Sequence, residues 1–301
     1  MTSNYFSKFF IKLIGIILVI DDGLAISSSA TDQHLRVKVP KFHSNDKEWV
    51  QRAAKVLATE GVVLIELDSF ASSAIIPHNL CDRVNNAIEH RMDEIMEKIK
   101  ISGVDPYHDE ASFHYMEILS RDDNNRRFDV PVSWLEPDDN ENLLSWGMEH
   151  ARSVQKFHAA MDKIAGPVAA HLWNIQEEEI GKPSAGFLVN DPGSYPQEWH
   201  RDGPEKGFLN VFIPLIDVKK ELGPTSLMPR THNFEENSEE LEPLLKKGEC
   251  LIFDYRLLHR GQANLSKSTR RTLAYVVYTN RGSDNSKDVW NFPNSSTLKY
   301  Y

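Results

Sequence analysis

The first half of the chain places its apolar residues with a period close to 3.6, which is typical of amphipathic helices. The pattern predicts helices over residues 46–61, 77–100 and 149–173. Gly61 provides a natural end to the first of these helices. The apolar run at 62–67 that follows it predicts a buried strand. The first half is therefore predicted to be mainly helical.

The pattern changes after residue 184, where short runs of β-branched and aromatic residues alternate with turn-forming residues. These runs predict strands at 187–189, 208–216, 225–228, 250–255 and 272–279. Several short strands separated by turn signals are typical of an all-β sandwich or barrel. We therefore expect a mainly β fold with flanking helices and a jelly-roll core at about 185–280, with irregular segments at 31–44 and 101–147.

Composition narrows the class of protein. A chain of 301 residues with 41% hydrophobic content can form one catalytic domain, here 31–301. The formal net charge of −10 argues against a nucleic-acid partner, which would require a basic surface. With only Cys81 and Cys250, neither a disulfide framework nor a zinc-thiolate site is expected.

The N-terminal segment 1–30 allows two interpretations. Lys8 and Lys12 precede an apolar run at 13–20 that Asp21 ends, a pattern that fits a secretory signal or targeting segment. The alternative is an extension or peripheral helix of a cytoplasmic enzyme. The run is shorter than the roughly 20 residues that a membrane span needs, so no stable span is predicted.

The candidate chemistry centres on His200 and Asp202. Their spacing of two residues directs both side chains to one face of a strand. His259 is expected to arrive on a later strand-like run, 248–255, and to supply a third ligand. Two histidines and one carboxylate form the facial triad of non-haem Fe(II) oxygenases. A competing cluster at 108–110 (His-Asp-Glu) lacks flanking strand patterns and is interpreted as a solvated loop.

Four motifs occur in a characteristic order around these residues, at 200–204, 208–215, 223–232 and 259–271. In this order they resemble the phytanoyl-CoA dioxygenase family of Fe(II)- and 2-oxoglutarate-dependent oxygenases. The resemblance covers most of residues 185–280. It implies a double-stranded β-helix, the jelly-roll of cupin-like proteins, which agrees with the expectation from the strand pattern.

The resemblance also implies roles for individual residues. His200, Asp202 and His259 are the implied iron ligands. An arginine eleven residues after the second histidine, Arg270, is implied to bind the distal carboxylate of 2-oxoglutarate. A planar guanidinium suits a carboxylate because it donates two parallel hydrogen bonds. Arg271 is the alternative, and strand alternation allows only one of the two to face the site.

Further contacts are expected around this centre. Gln197 and Thr225 occupy positions that the resemblance associates with the cosubstrate. Gly261 replaces a small polar residue that relatives often have at this position, which removes one contact. His114 and Arg127 are candidates for lining a substrate pocket, whereas His232 is interpreted as a structural hydrogen-bonding residue.

Together these features predict an enzyme that uses Fe(II), 2-oxoglutarate and dioxygen to hydroxylate a small organic metabolite, with release of succinate and CO2. Two alternatives share the fold. One is a cupin-like metalloenzyme that uses the same triad without 2-oxoglutarate, for which Arg270 would be dispensable. The other is a non-catalytic member of the fold, which the complete ligand set disfavours.

Overall fold

The computed structural model describes residues 30–38, 47–67, 75–101, 103, 105, 107, 114–115, 118–120, 126–132, 148–234 and 238–282. The predicted targeting segment lies outside these residues, except for Ala30, and so does the cluster at 108–110. None of the helices in the described part of the chain combines the length and apolar character needed to cross a bilayer.

The helices agree with the periodic patterns to within a few residues. Those described are Ala30–Leu35 (α1), Lys47–Glu60 (α2), His78–Ile101 (α3) and Met148–Trp173 (α4). Gly61 ends α2 with a positive φ of 75°, a conformation that glycine adopts without strain, and its N–H donates to the carbonyl of Leu57. A Cβ at this position would also collide with the ring of His232.

Eleven strands are described, and most lie in one large sheet. They are Arg36–Lys38 (β1), Val62–Glu66 (β2), His114–Tyr115 (β3), Ile118–Ser120 (β4), Arg127–Pro131 (β5), Gly181–Asn190 (β6), Phe208–Pro214 (β7), Thr225–Met228 (β8), Cys250–Asp254 (β9), Leu258–Gly261 (β10) and Arg271–Thr279 (β11). The order in the large sheet is β1-β2-β9-β7-β11-β6-β5-β4-β3. Its pairs are antiparallel apart from β1 and β2, which are parallel.

A smaller sheet lies opposite the inner face of the large one. Its strands β8 and β10 are antiparallel, and single bridges extend the pairing from His200 to His259 and from Leu227 to Leu241. Leu227 and Leu241 pack in one apolar cluster with inward residues of the large sheet. Two facing antiparallel sheets of this kind make the predicted jelly-roll, so the expected fold class is confirmed.

Alternation along each strand of the large sheet separates two apolar cores. On β11, Ala274, Val276 and Tyr278 pack towards α2, α3 and α4. Leu273, Tyr275 and Val277 pack towards the smaller sheet. The large sheet is therefore buried on both faces, with helices outside and the candidate site inside.

Two segments predicted as irregular contain regular structure. Segment 31–44 contributes most of α1 and all of β1, and segment 101–147 contributes β3, β4 and β5. The charged residues Arg126 and Arg127 obscured the signal of β5, which has only five residues. Pairing with β6 from Arg127 to Pro131 forms this strand, so tertiary context overrides the local polar pattern.

Candidate metal centre and anion pocket

Backbone pairing in the smaller sheet brings the two histidines together. His200 and His259 lie opposite each other, and their N–H groups donate to each other's carbonyl at 3.0 and 2.9 Å. Their ring centroids are 4.4 Å apart. His259 lies on β10, beyond the turn that follows β9, and not on the strand-like run 248–255 itself.

Both imidazoles are oriented by backbone carbonyls. The Nδ1 atom of His200 lies 2.8 Å from the carbonyl of Glu198, and that of His259 lies 2.9 Å from the carbonyl of Leu257. A carbonyl oxygen only accepts, so each Nδ1 carries the proton and each Nε2 keeps its lone pair. Metal-binding histidines are commonly held in this way.

Asp202 completes the group. Its backbone N–H donates to the carbonyl of Tyr255 at 3.1 Å. The Oδ1 atom lies 3.9 Å from Nε2 of His200, and Oδ2 lies 3.6 Å from Nε2 of His259. The three ligand atoms all lie within 4.8 Å of one another. Two neutral imidazoles and one carboxylate are a donor set that suits a divalent transition metal and leaves further coordination positions open.

The centre opens to solvent on one side. The side chain of His200 is 37% exposed, whereas that of His259 is 6% exposed. Trp199 points away from the centre, and its ring stacks under the guanidinium of Arg260 at 4.5 Å. A second molecule can therefore approach from the side of His200.

The pocket beside the three ligands contains Arg271 and not Arg270. The expectation that Arg270 faces the site is wrong in this respect. On β11 the residues at 271, 273, 275 and 277 line the pocket, so the side chain at 270 points the other way. Arg270 instead donates to Asp191 and to Glu89, each at 2.6 Å. Burial opposes its charge, but the two carboxylates raise the pKa of Arg270 above its ordinary value.

Arg271 is 3% exposed and lies beside two other buried polar residues on adjacent strands. Asn190 of β6 is paired with Arg271 of β11 on one side and with Arg127 of β5 on the other. Burial, and then the charge of Arg127, lower the pKa of Arg271 to about 9. One N–H of Arg271 donates to the carbonyl of Gly223. Its Nε and both amide atoms of Asn190 have no hydrogen-bond partner within the described residues.

Arg127 also lines this pocket and connects its walls through hydrogen bonds, while its expected contact with a substrate stays a prediction. Its guanidinium donates to the carbonyls of Tyr195 at 2.8 Å, Gly261 at 3.2 Å and Gln262 at 2.5 Å. A Cβ on Gly261 would lie 2.6 Å from Nη1 of Arg127 and 2.8 Å from Oε1 of Gln197. The space left by the missing side chain at 261 is therefore occupied by Arg127 and Gln197.

The other expected residues fall into three groups. Gln197 and Thr225 both line the pocket, and Oε1 of Gln197 accepts the N–H of Gly261 at 3.0 Å. His114 belongs to β3, but its side chain lies outside the description. His232 is 3% exposed and lies 3.4 Å from the carbonyl of Ala58, so its position fits the structural interpretation.

Sequence reasoning missed two buried amides, Asn190 and Asn210. Both lie on inward faces, Asn190 at the end of β6 and Asn210 between apolar neighbours of β7, and Asn210 donates to Asp202 at 2.6 Å. A single polar residue in an apolar strand is the signal that could have identified Asn210, because a buried amide without a partner is costly.

The facing sheets and the His-Asp-His group define a jelly-roll protein with a candidate mononuclear metal centre. Residues 136–272 match the family model described as phytanoyl-CoA dioxygenase (PhyH). This match covers the three candidate ligands and Arg271, and it begins after Arg127. Over these residues the chain is similar to the phytanoyl-CoA dioxygenase family.

Individual relatives agree with this similarity. Dioxygenase hkm4 of Aspergillus hancockii is 30% identical over 112 residues, which cover 31% of this chain and 37% of that protein. Dioxygenase FUM3 of Gibberella moniliformis is 29% identical over 150 residues, which cover 46% of this chain and 48% of that protein. The aligned stretches thus span about half or less of these two relatives.

The fold is also found in a solved structure. AviO1 from Streptomyces viridochromogenes Tue57 superposes with a TM-score of 0.50 at 15% identity. The superposition covers 76% of this chain and 94% of AviO1. The likeness includes most of the described chain and supports the jelly-roll architecture.

Proposed function

We propose that this protein is an Fe(II)- and 2-oxoglutarate-dependent dioxygenase that hydroxylates a small organic metabolite, with release of succinate and CO2. The observation that carries the proposal is the juxtaposition of two features in one pocket. A three-ligand His-Asp-His group lies beside a buried pair of arginines. The first feature suits a transition metal, and the second suits an acidic cosubstrate.

His200, Asp202 and His259 are the proposed iron ligands. Their Nε2 atoms and carboxylate converge, and the Nδ1 contacts to carbonyls orient both imidazoles with Nε2 towards the centre. When bound, Fe(II) supplies the activation of dioxygen that is coupled to oxidation of the 2-oxo acid. The exposed side of His200 is the proposed direction of substrate approach.

The proposed 2-oxoglutarate site uses Arg271 in place of Arg270. Arg271 and Arg127 are both nearly inaccessible to water, and burial, followed by the charge of Arg127, lowers the pKa of Arg271. A dianion relieves this repulsion and offers acceptors to Nε of Arg271 and to the amide of Asn190. A guanidinium that binds a carboxylate through two hydrogen bonds gives both strength and orientation.

Gln197 and Thr225 are proposed as further cosubstrate contacts, because both line the same pocket. Arg127 is proposed to contact the cosubstrate and to keep the pocket walls in place through its hydrogen bonds to backbone carbonyls. The earlier interpretation of His114 as a substrate-lining residue stays a prediction. A small-molecule substrate is proposed because the formal net charge of −10 does not favour a nucleic-acid partner.

Succinate formation tests this function. The full-length protein, supplied with Fe(II), ascorbate and 2-oxoglutarate, is expected to produce succinate slowly even without a substrate. Asp202→Asn removes a charged metal ligand and should abolish this turnover. Glu178→Gln makes the same chemical change at an exposed position and should leave it intact.

The outcomes separate the competing functions. Turnover that survives Asp202→Asn would refute the metal-centre assignment. Iron binding without any binding of 2-oxoglutarate would instead favour a cupin-like metalloenzyme. A folded protein that binds neither iron nor 2-oxoglutarate would favour a non-catalytic member of the fold.

A further inference from the structure

Asn210 is the polar exception on the inner face of β7. Phe208 and Phe212, two residues away on either side, belong to the apolar core between the sheets. Asn210 is 3% exposed, and its neighbours across the sheet are Phe253 and Val277. An amide buried among such residues is costly unless it makes a hydrogen bond.

The amide of Asn210 donates to Asp202. Its Nδ2 lies 2.6 Å from Oδ2 of that carboxylate. A carboxylate that ligates a metal is ionised and can only accept, so the NH2 end of the amide must face it. Hydrogen bonds to a charged acceptor are about twice as strong as neutral ones. This bond therefore offsets the burial of Asn210 and restrains the side chain of Asp202.

We propose that Asn210 is a positioning residue for the metal centre, which it serves through Asp202. The inference rests on the proposed function, because it assumes that Asp202 ligates a metal. The backbone N–H of Asp202 is fixed by Tyr255, but this contact leaves the carboxylate free to rotate. Asn210 supplies the missing restraint from a central strand of the large sheet.

The hydrogen bond also affects how the carboxylate binds. An oxygen that accepts a short hydrogen bond is a weaker second donor to a metal. Asn210 would therefore leave Oδ1 of Asp202 as the stronger donor of the two carboxylate oxygens to a bound metal ion. Residues that orient metal ligands in this way typically contribute about 10- to 100-fold to metal affinity.

Cobalt(II) titration of the metal-free, full-length protein tests this role without relying on turnover. The dissociation constant and the visible absorption spectrum of bound Co(II) are both measured. Asn210→Ala and Asn210→Leu are expected to weaken binding by about 10- to 100-fold and to change the spectrum. Asn210→Ser keeps a hydroxyl donor and should recover part of the affinity.

Thr279→Val is the matched control. Thr279 is 1% exposed on the neighbouring strand β11, and its Oγ1 accepts the N–H of Arg281 at 3.2 Å. Its replacement also removes a buried polar group but touches no candidate ligand. Thr279→Val should therefore keep the affinity and the spectrum of the unmodified protein.

Unchanged Co(II) affinity and spectrum in Asn210→Ala would overturn the inference. The same conclusion would follow if metal-free Asn210→Ala lost thermal stability but still bound Co(II) normally, since Asn210 would then act only in the core. If Asn210→Ala and Asn210→Leu do not fold, Asn210→Ser is measured instead. Its shorter hydroxyl restores the contact only in part, so a Co(II) affinity and spectrum identical to those of the unmodified protein would again overturn the inference. If the unmodified protein and Asp202→Ala failed equally to bind Co(II), the proposed metal centre would fall as well.

Discussion

His200 and His259 face each other across the smaller sheet and exchange both of their backbone hydrogen bonds. Two residues 59 positions apart are thereby held in register by the sheet itself. Side chains of directly opposed residues lie on the same face, so both imidazoles reach the same space. The candidate metal centre thus depends on strand pairing as much as on side-chain packing.

Replacement of Arg271 should lower the affinity for 2-oxoglutarate, whereas replacement of the adjacent Arg270 should lower the stability of the fold. Arg271→Ala is expected to weaken 2-oxoglutarate binding by about 100-fold, because a buried charge-assisted contact is lost. Arg270→Ala should leave this affinity nearly unchanged but lower the free energy of unfolding by about 3 kcal/mol, since Asp191 would lose a buried partner. Cosubstrate titration and urea unfolding measure the two effects. Loss of 2-oxoglutarate binding in a stable Arg270→Ala protein, with Arg271→Ala unaffected, would reverse the assignment.

Gly261→Ala should damage the pocket by steric displacement. The added methyl group would lie 2.6 Å from the guanidinium of Arg127 and 2.8 Å from the amide oxygen of Gln197, so both must move. We expect 2-oxoglutarate affinity to fall by about 10-fold, the equivalent of roughly 1.4 kcal/mol. Gly166→Ala is the control, because its methyl group would meet only the flexible end of Glu177. Equal affinities in the two variants would show that the space at 261 is not needed.

His158 should make the protein sensitive to mild acid. It is fully buried in α4 beside Phe187, and burial, with Lys182 as a smaller cause, lowers its pKa to about 3. Between pH 6.5 and 3 the unfolded chain binds a proton that the folded protein does not, so stability falls as the pH falls. From pH 7 to 5 this contribution is about 2 kcal/mol.

His158→Phe should remove this contribution, so urea unfolding at the two pH values is expected to show a smaller loss of stability. His171→Phe changes an exposed histidine of the same helix and should retain the full loss. An identical pH dependence in both variants would exclude His158 as the source.

Asn264 should be essential for the turn that precedes β11. Its amide donates to the carbonyls of Asn190 at 2.8 Å and Thr269 at 2.9 Å, and its oxygen accepts from Ser266. Because the side chain is fully buried, Asn264→Ala should lower the free energy of unfolding by about 2–3 kcal/mol. Thermal unfolding measures this loss. Asn233→Ala, at an exposed position, should have little effect, and similar losses in both would contradict this role.

The helices and the candidate ligands were accessible from the sequence because each depends on local spacing. The pattern at 149–173 predicted α4, which spans Met148–Trp173. The two-residue interval between His200 and Asp202 predicted that both would face the same space, and their ligand atoms lie within 4.8 Å. The roles of these residues as iron ligands stay predictions until metal binding is measured.

Local spacing could not decide in the same way whether Arg270 or Arg271 faces the pocket. Alternation required Arg270 and Arg271 to face opposite sides, but every residue of β11 is buried. Both faces therefore carry mainly buried apolar residues, and hydrophobicity carries no information about which side is inward. The position eleven residues after His259 pointed to Arg270, whereas the salt bridges of Arg270 to Asp191 and Glu89 hold it outside the pocket.

By itself, the sequence determined the helices, the jelly-roll class and the identity of three candidate ligands, because these follow from periodicity and from short motifs. Tertiary structure decided which arginine enters the pocket, that β5 forms at all, and that Arg127, Asn190 and Arg271 lie in one row. Those features depend on register between strands that are distant in the chain. Register is set by the summed pairing and packing of whole sheets, which no local pattern encodes.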